Sequence, residues 1–229
     1  MVRTSWDDGH PLDFRIAELL TRYDLTGTFY IPRTNGPTEV MNEKSIFELS
    51  KRFNIGGHTL NHVVLNTHDE KLLQHEVHGS FHWLESIIGN APSSFCFPKG
   101  VFNKTALKFV FDAGYKTART TELWSTACEV DRVEPTTLQL YEHSWSTYAK
   151  HLIKRRRWNR LIENLVLHST VDLQKLTQRL LKKMQQEGGC FHLWGHSWEI
   201  EEFGLWEKLK SVLSMLSEAN SGSRTSSTT

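Results

Sequence analysis

Apolar positions along the chain alternate between short runs and helical stripes, with Gly, Pro or a capping residue between them. Val2 to Trp6 reads as a first strand. Pro11 suits the first position of a helix, where Ile16, Leu19, Leu20 and Tyr23 recur at helical spacing. Thr26 to Ile31 reads as a buried strand. Asn42 can cap a helix through Phe53, with Ile46, Leu49 and Phe53 on one face. Ile55-Gly56-Gly57 is a brief strand or turn that delivers His58. Thr67-His68-Asp69-Glu70 has the capping-box pattern before a helix to about Ile88, striped by Leu73, Val77, Phe81, Leu84 and Ile88. Phe95 to Phe97 is a strand closed by Pro98. Asn103 opens a helix that Gly114 ends in a left-handed cap. Tyr115 to Thr120 and Leu138 to Tyr141 are further strands. Residues 145–187 read as mostly helical, and Gly188-Gly189 stops them. Cys190 to Gly195 is a late strand, and a last helix carries Leu205, Leu209, Val212, Leu213 and Leu216.

This alternation predicts an α/β fold with a mostly parallel sheet. Residues 1–218 form one unit, and the Ser/Thr-rich end, residues 219–229, is expected to be a disordered tail. Asp7, His58, Pro98, Arg119 and His196 all sit at or just after predicted strand ends, and α/β folds gather their sites at the carboxyl ends of strands.

Bulk properties narrow the class. The 229 residues carry net charge +1, so nothing global attracts nucleic acid or an anionic membrane. No apolar run approaches the ~18 residues of a membrane span. The start, Met1-Val2-Arg3-Thr4-Ser5-Trp6, lacks the basic and apolar regions of a signal peptide. Cys96, Cys128 and Cys190 are odd in number and widely spaced, which argues against a disulfide framework and a Cys-type zinc site. The expected compartment is a reducing cytoplasm. Lys154-Arg155-Arg156-Arg157 with Arg160 reads as a solvated helix face or an anion clamp.

Two motifs carry the chemistry. Ser5-Trp6-Asp7-Asp8-Gly9 sets two carboxylates at a strand end. His58-Thr59-Leu60-Asn61-His62 sets two imidazoles at i and i+4. Together they offer two histidines and one carboxylate to a divalent metal, leaving one carboxylate as a base. Asp-Asp-Gly also suits a plain turn, and His78 and His82 repeat the i, i+4 spacing on a solvated face. In Phe191-His192-Leu193-Trp194-Gly195-His196-Ser197-Trp198-Glu199, alternation puts His192, Trp194 and His196 on one side. An apolar wall ending in an imidazole suits an acyl pocket with a general acid. His192 competes with His196 for that role.

These residues resemble the polysaccharide deacetylase (NodB-type) family. Ser5 to Gly9 is similar to its Thr-Phe-Asp-Asp-Gly motif, and His58 to His62 to its His-(Ser/Thr)-x-x-His motif. Phe95 to Gly100 resembles its Arg-x-Pro-x-Gly loop, and the His196 segment its late Leu-x-Leu-x-His motif. The match spans roughly residues 2–200. It implies a distorted (β/α) barrel and a metal-dependent deacetylase. Asp7 would be the base; Asp8, His58 and His62 the metal ligands; His196 the acid. The Lys99 N–H, next to Pro98, would help hold the oxyanion. The metal would be zinc first, with cobalt, iron or nickel as alternatives.

The chain departs from the family in two places. Cys96 stands where the loop has the arginine that orients the base, and the Asp-x-x-Asp-Trp motif has no clear counterpart. Arg119, ending the next strand, is the candidate replacement. Trp194 and Trp198, with His10, Trp6, His143 and Glu199, would shape the substrate site, and Glu199 would orient His196. The expected substrate is an N-acetylated carbohydrate. A cytoplasmic location would favour a nucleotide- or lipid-linked sugar, such as an O-antigen or other surface-polysaccharide precursor. No nucleic-acid partner and no transmembrane segment are expected; homo-oligomers are allowed. The alternatives are an allantoinase-like amidohydrolase on a non-sugar C–N bond and a catalytically silent carbohydrate-binding protein on the same fold.

Overall fold

A computed structural model describes residues 1–141 and 172–225. The strands are β1 (Val2–Asp7), β2 (Thr28–Ile31), β3 (Asn54–Gly57), β4 (Ser94–Cys96), β5 (Thr117–Arg119), β6 (Val133–Glu134), β7 (Leu138–Gln139) and β8 (Phe191–Gly195). They form one sheet in the order β6-β5-β4-β3-β2-β1-β8-β7, every pair parallel. The edge strands β6 and β7 are separated in sequence only by Pro135, Thr136 and Thr137. Laid flat, eight strands would hold their edges roughly 34 Å apart. The Glu134–Leu138 link reaches ~15 Å at most. The sheet must therefore curl, and Arg3 on β1 meets Glu134 on β6 at 3.2 Å across the interior. This is the distorted (β/α) barrel that the sequence implies.

Alternation along the strands sorts the side chains. Val2, Trp6, Phe29, Ile31, Phe191 and Leu193 pack outward into the main hydrophobic cluster, against Ile16, Leu20, Leu209 and Leu213 of the surrounding helices. A second cluster, with Leu73, Val77, Phe81, Phe95, Val110 and Tyr115, lies over β4 and β5. The curled interior is polar: Ser5 bonds His192 at 2.8 Å, Tyr30 bonds Ser94 at 2.6 Å, and Arg119 meets Asp7.

The helices around the sheet are α1 (Asp13–Arg22), α2 (Glu43–Ser50), α3 (Glu70–Leu73), α4 (Gly79–Ile88), α5 (Lys104–Asp112), α6 (Leu173–Glu187), α7 (Ser197–Glu202) and α8 (Trp206–Thr225). Asn42 and Asn103 cap α2 and α5, accepting from the N–H of Ser45 and Ala106, as their sequence positions predict.

Several boundaries differ from the sequence reading. The cap of α3 is Asp69, whose carboxylate accepts from Lys71 and Leu72 N–H; Thr67 instead accepts from Asp69 N–H. A π turn over Gln74–His78 links α3 to α4. Leu12 precedes α1, so Pro11 lies ahead of the helix rather than inside it. The two-residue β6 was too short to read. Helix α8 runs to Thr225, past the start of the expected tail at 219, and Ala219 still packs against the main cluster. Of the 145–187 segment, Leu173–Glu187 is helical as expected; His143 and the basic run at 154–160 lie outside the described residues.

The cysteine expectation is overturned. Cys128 and Cys190 form a disulfide across 62 residues, with Cα atoms 4.8 Å apart. Spacing hid the pair because tertiary register makes it: Cys190 N–H donates to Thr126 C=O at 2.8 Å, seating the segment after β5 against the start of β8. Cys96 stays free and buried.

Candidate active site

Asp7 ends β1 with its side chain inside the barrel. Asp8 then takes φ +79° and Gly9 φ +62°. The left-handed step turns Asp8 away from the direction strand alternation would give it. At Gly9 a Cβ would lie 2.6 Å from Ile31 Cγ2, so the turn requires glycine. Two adjacent carboxylates thus reach different neighbours.

Asp8 faces the histidines. Its Oδ1 lies 3.2 Å from His62 Nε2 and 3.6 Å from His58 Nε2. His58 follows β3 directly. A Cβ on Gly57 would stand 2.1 Å from Tyr115 Oη, so only glycine lets β3 pass there. His58 Nδ1 bonds the Cys96 carbonyl at 2.8 Å. A carbonyl only accepts, so Nδ1 carries the proton, and Nε2 is the ring atom turned to Asp8. Asp8 Oδ1 is buried without a hydrogen-bond partner. Candidate ligand atoms of Asp8, His58 and His62 all lie within 4.8 Å of one another. An orphaned carboxylate oxygen facing two imidazole nitrogens fits a divalent cation. Burial opposes the charge on Asp8, but His58, His62 and His196 outweigh it and hold its carboxyl far below the usual range.

Asp7 faces the other way, to Arg119 at the end of β5. One Arg119 Nη2 donates to both Asp7 oxygens and lies 2.9 Å from Cys96 Sγ. The arginine is fully buried, with its guanidinium 5.1 Å from the Tyr30 ring and 4.9 Å from the Trp194 ring. Burial works against its proton, but the charge of Asp7 more than compensates and raises its pKa. Burial pushes the Cys96 thiol up as well, so it remains a neutral neighbour of the pair.

The β8–α7 turn closes the site. His196 Nε2 lies 3.9 Å from Asp8 Oδ2, while its Nδ1 bonds Glu199 Oε2 at 2.6 Å. Burial pulls its pKa down, but Glu199 and Asp8 reverse this, and the net shift is upward. His192 sits deeper, paired with Ser5 and held well below its ordinary pKa by burial and by Arg119. The two histidines are thereby distinguished: only His196 faces Asp8. Trp194 lies edge-on to His196 with ring centroids 5.6 Å apart. Trp198 donates its Nε1–H to Asp8 Oδ2 at 2.9 Å. Pro98, Lys99 and Gly100 form a tight turn after β4, with Lys99 at φ +58°. His10 accepts from Leu12 N–H and shapes the start of α1.

Two supporting carboxylates escaped the sequence reading. Asp13 is fully buried and accepts from Ser197 Oγ at 2.6 Å, pinning the turn that presents His196. Burial, reinforced by Asp8 and Asp7, pushes its pKa well up. Glu76 is buried beneath the His58–His62 loop. Its signal was a charge between Leu73 and Val77, on the apolar side of its helix.

Residues 1–118 match the family model described as polysaccharide deacetylase. No curated protein matches the chain by sequence. Among solved structures, a polysaccharide deacetylase-type protein from Mycobacterium smegmatis aligns over 94% of this chain and 84% of its own, at 14% identity and TM-score 0.65. The Streptococcus pyogenes deacetylase PplD, solved with acetate, aligns over 58% of this chain at 20% identity and TM-score 0.51. The match spans 62% of PplD's own length. At these identities the likeness speaks to the fold.

Proposed function

The chain belongs to the polysaccharide deacetylase family, and we propose that it is a metal-dependent hydrolase removing an acetyl group from an amide nitrogen of a carbohydrate. The observation that carries this reading is the convergence of Asp8 Oδ1, without a hydrogen bond of its own, with the two histidines. A divalent metal held by Asp8, His58 and His62, zinc first by donor type, would lower the pKa of a bound water and polarise the substrate carbonyl.

The protein's own groups divide the remaining work. Asp7, steered by Arg119, takes a proton from the attacking water. The Lys99 N–H donates to the developing oxyanion. His196, oriented by Glu199, gives a proton to the leaving amine nitrogen. Trp194 forms the wall against which the acyl methyl packs. The departure at Cys96, which invited the silent-binder reading, is matched here by a guanidinium from β5.

A carbohydrate of a surface polysaccharide or its precursor fits this reading. Among the described residues no helix is long and apolar enough to cross a membrane. The cytoplasmic expectation leaned in part on the cysteines, and the Cys128–Cys190 disulfide withdraws that support. The choice of a linked precursor rested on that compartment; the N-acetylated carbohydrate class rests on the family.

Two measurements test the reading. The purified protein should carry one divalent metal per chain and lose deacetylation on chelation, with activity restored by zinc or cobalt. Asp7→Asn should keep that metal while turnover on an N-acetylated oligosaccharide falls by roughly 10²- to 10⁴-fold. An Asp7→Asn variant of undiminished activity would dispose of the base assignment. A wild type without metal would dispose of the whole reading.

A further inference from the structure

Glu76 has no place in the proton transfers, yet it is 2% exposed. A buried carboxylate needs partners, and those of Glu76 all lie in the loop between His58 and His62. Its Oε2 accepts from Leu60 N–H at 3.1 Å and Asn61 N–H at 2.8 Å. Its Oε1 accepts from Asn61 Nδ2 at 2.8 Å. From the other side, Thr34 Oγ1 donates to Asn61 Oδ1 at 3.0 Å, and Arg33 and Thr34 N–H donate to Leu60 C=O.

The clamped loop is in an unfavourable conformation. Thr59 has φ +62° and His62 φ +53°. Neither is glycine, and the left-handed region is especially costly for a β-branched residue. Such geometry persists only where the surroundings impose it. The two left-handed residues flank Leu60 and Asn61, the residues that Glu76 holds. They also bend the chain back so that His62 Nε2 comes within 3.2 Å of Asp8 Oδ1. Glu76 itself sits in the π turn between α3 and α4, a kind of irregularity that recurs at functional sites.

We propose that Glu76 is a positioning residue for the metal: it holds the His58–His62 loop in its strained form and so sets the spacing of the two imidazoles. This inference rests on the metal-site reading above. It predicts an effect on metal affinity that comes through the loop, without contact between Glu76 and the ion.

The test is Co²⁺ titration of the full chain, followed by visible absorption and by thermal melting of the metal-free protein. Glu76→Ala should weaken Co²⁺ binding by roughly 10- to 100-fold and change the spectrum of the bound ion, at temperatures where the metal-free variant is still folded. Glu76→Gln should restore both. Its carbonyl can accept from the two backbone N–H groups, and a flip of the Asn61 amide accommodates its NH₂. Glu76→Asp, one methylene short, replaces the alanine variant if the latter does not fold. A folded Glu76→Ala or Glu76→Asp protein with wild-type affinity and spectrum overturns the proposal and leaves the metal site standing. A wild type that binds no Co²⁺ overturns both.

Discussion

Asp7 and Asp8 are adjacent and chemically alike, and the backbone between them assigns them to different partners. The left-handed turn at Asp8 and Gly9 gives Asp7 to an arginine and Asp8 to two histidines. The Asp-Asp-Gly sequence announced a turn and two carboxylates, but not that Trp198 would bond Asp8. That bond joins residues brought together by folding. Glu199 was legible because it lies three residues beyond His196. His196 also gives a pH prediction. Its pKa is raised in the folded protein, and a general acid works only while protonated. Activity should therefore hold through the ordinary histidine range and fall as pH rises through the elevated value. Glu199→Gln removes one of the groups that raise it, so the alkaline limb of kcat should move to lower pH in a pH–rate profile. An unmoved limb would take His196 out of the acid role.

On the sheet, Cys96 and Arg119 are direct register partners on adjacent strands β4 and β5. Arg119 reaches Asp7 from one strand over, at the register level of Cys96, with its Nη2 2.9 Å from the thiol sulfur. Strand neighbours sit roughly 4.8 Å apart, a gap that an arginine spans easily. Arg119→Ala should cut kcat while leaving metal content unchanged. It should also destabilise the fold by about 3–5 kcal/mol, because it leaves a buried carboxylate unpaired, as a urea melt would show. The exchange Cys96→Arg with Arg119→Cys should recover much of both losses, since either strand can present the group at that level. An exchange variant as damaged as Arg119→Ala would show that position 119 itself matters. Long periodic elements were readable: α2, α5, α6 and the strands before each site residue appear where the pattern put them. Short pieces were not. Two-residue β6 carries no periodicity, and the π turn is invisible to a stripe of apolar residues that fits an unbroken α-helix.

For the molecule as a whole, alternation of strands and helices was enough to predict a parallel α/β fold, and the resemblance supplied the barrel. What neither supplied was closure, which comes from the three residues between β6 and β7, the Arg3–Glu134 pair and the Cys128–Cys190 bond. In the chain-entropy view, a covalent loop across 62 residues stabilises by about 4 kcal/mol. The bond also divides the chemistry in a way the sheet conceals. Asp7, Asp8, His58, His62, Glu76 and Arg119 all precede Cys128, whereas His196 follows Cys190. A single protease cut anywhere between the two cysteines would therefore leave the proposed base and ligands on one fragment and the proposed acid on another, with the disulfide as their only covalent tether. Nicked protein should run as one band on a non-reducing gel and as two after reduction. The enzyme would then be a two-chain assembly, its acid delivered in trans.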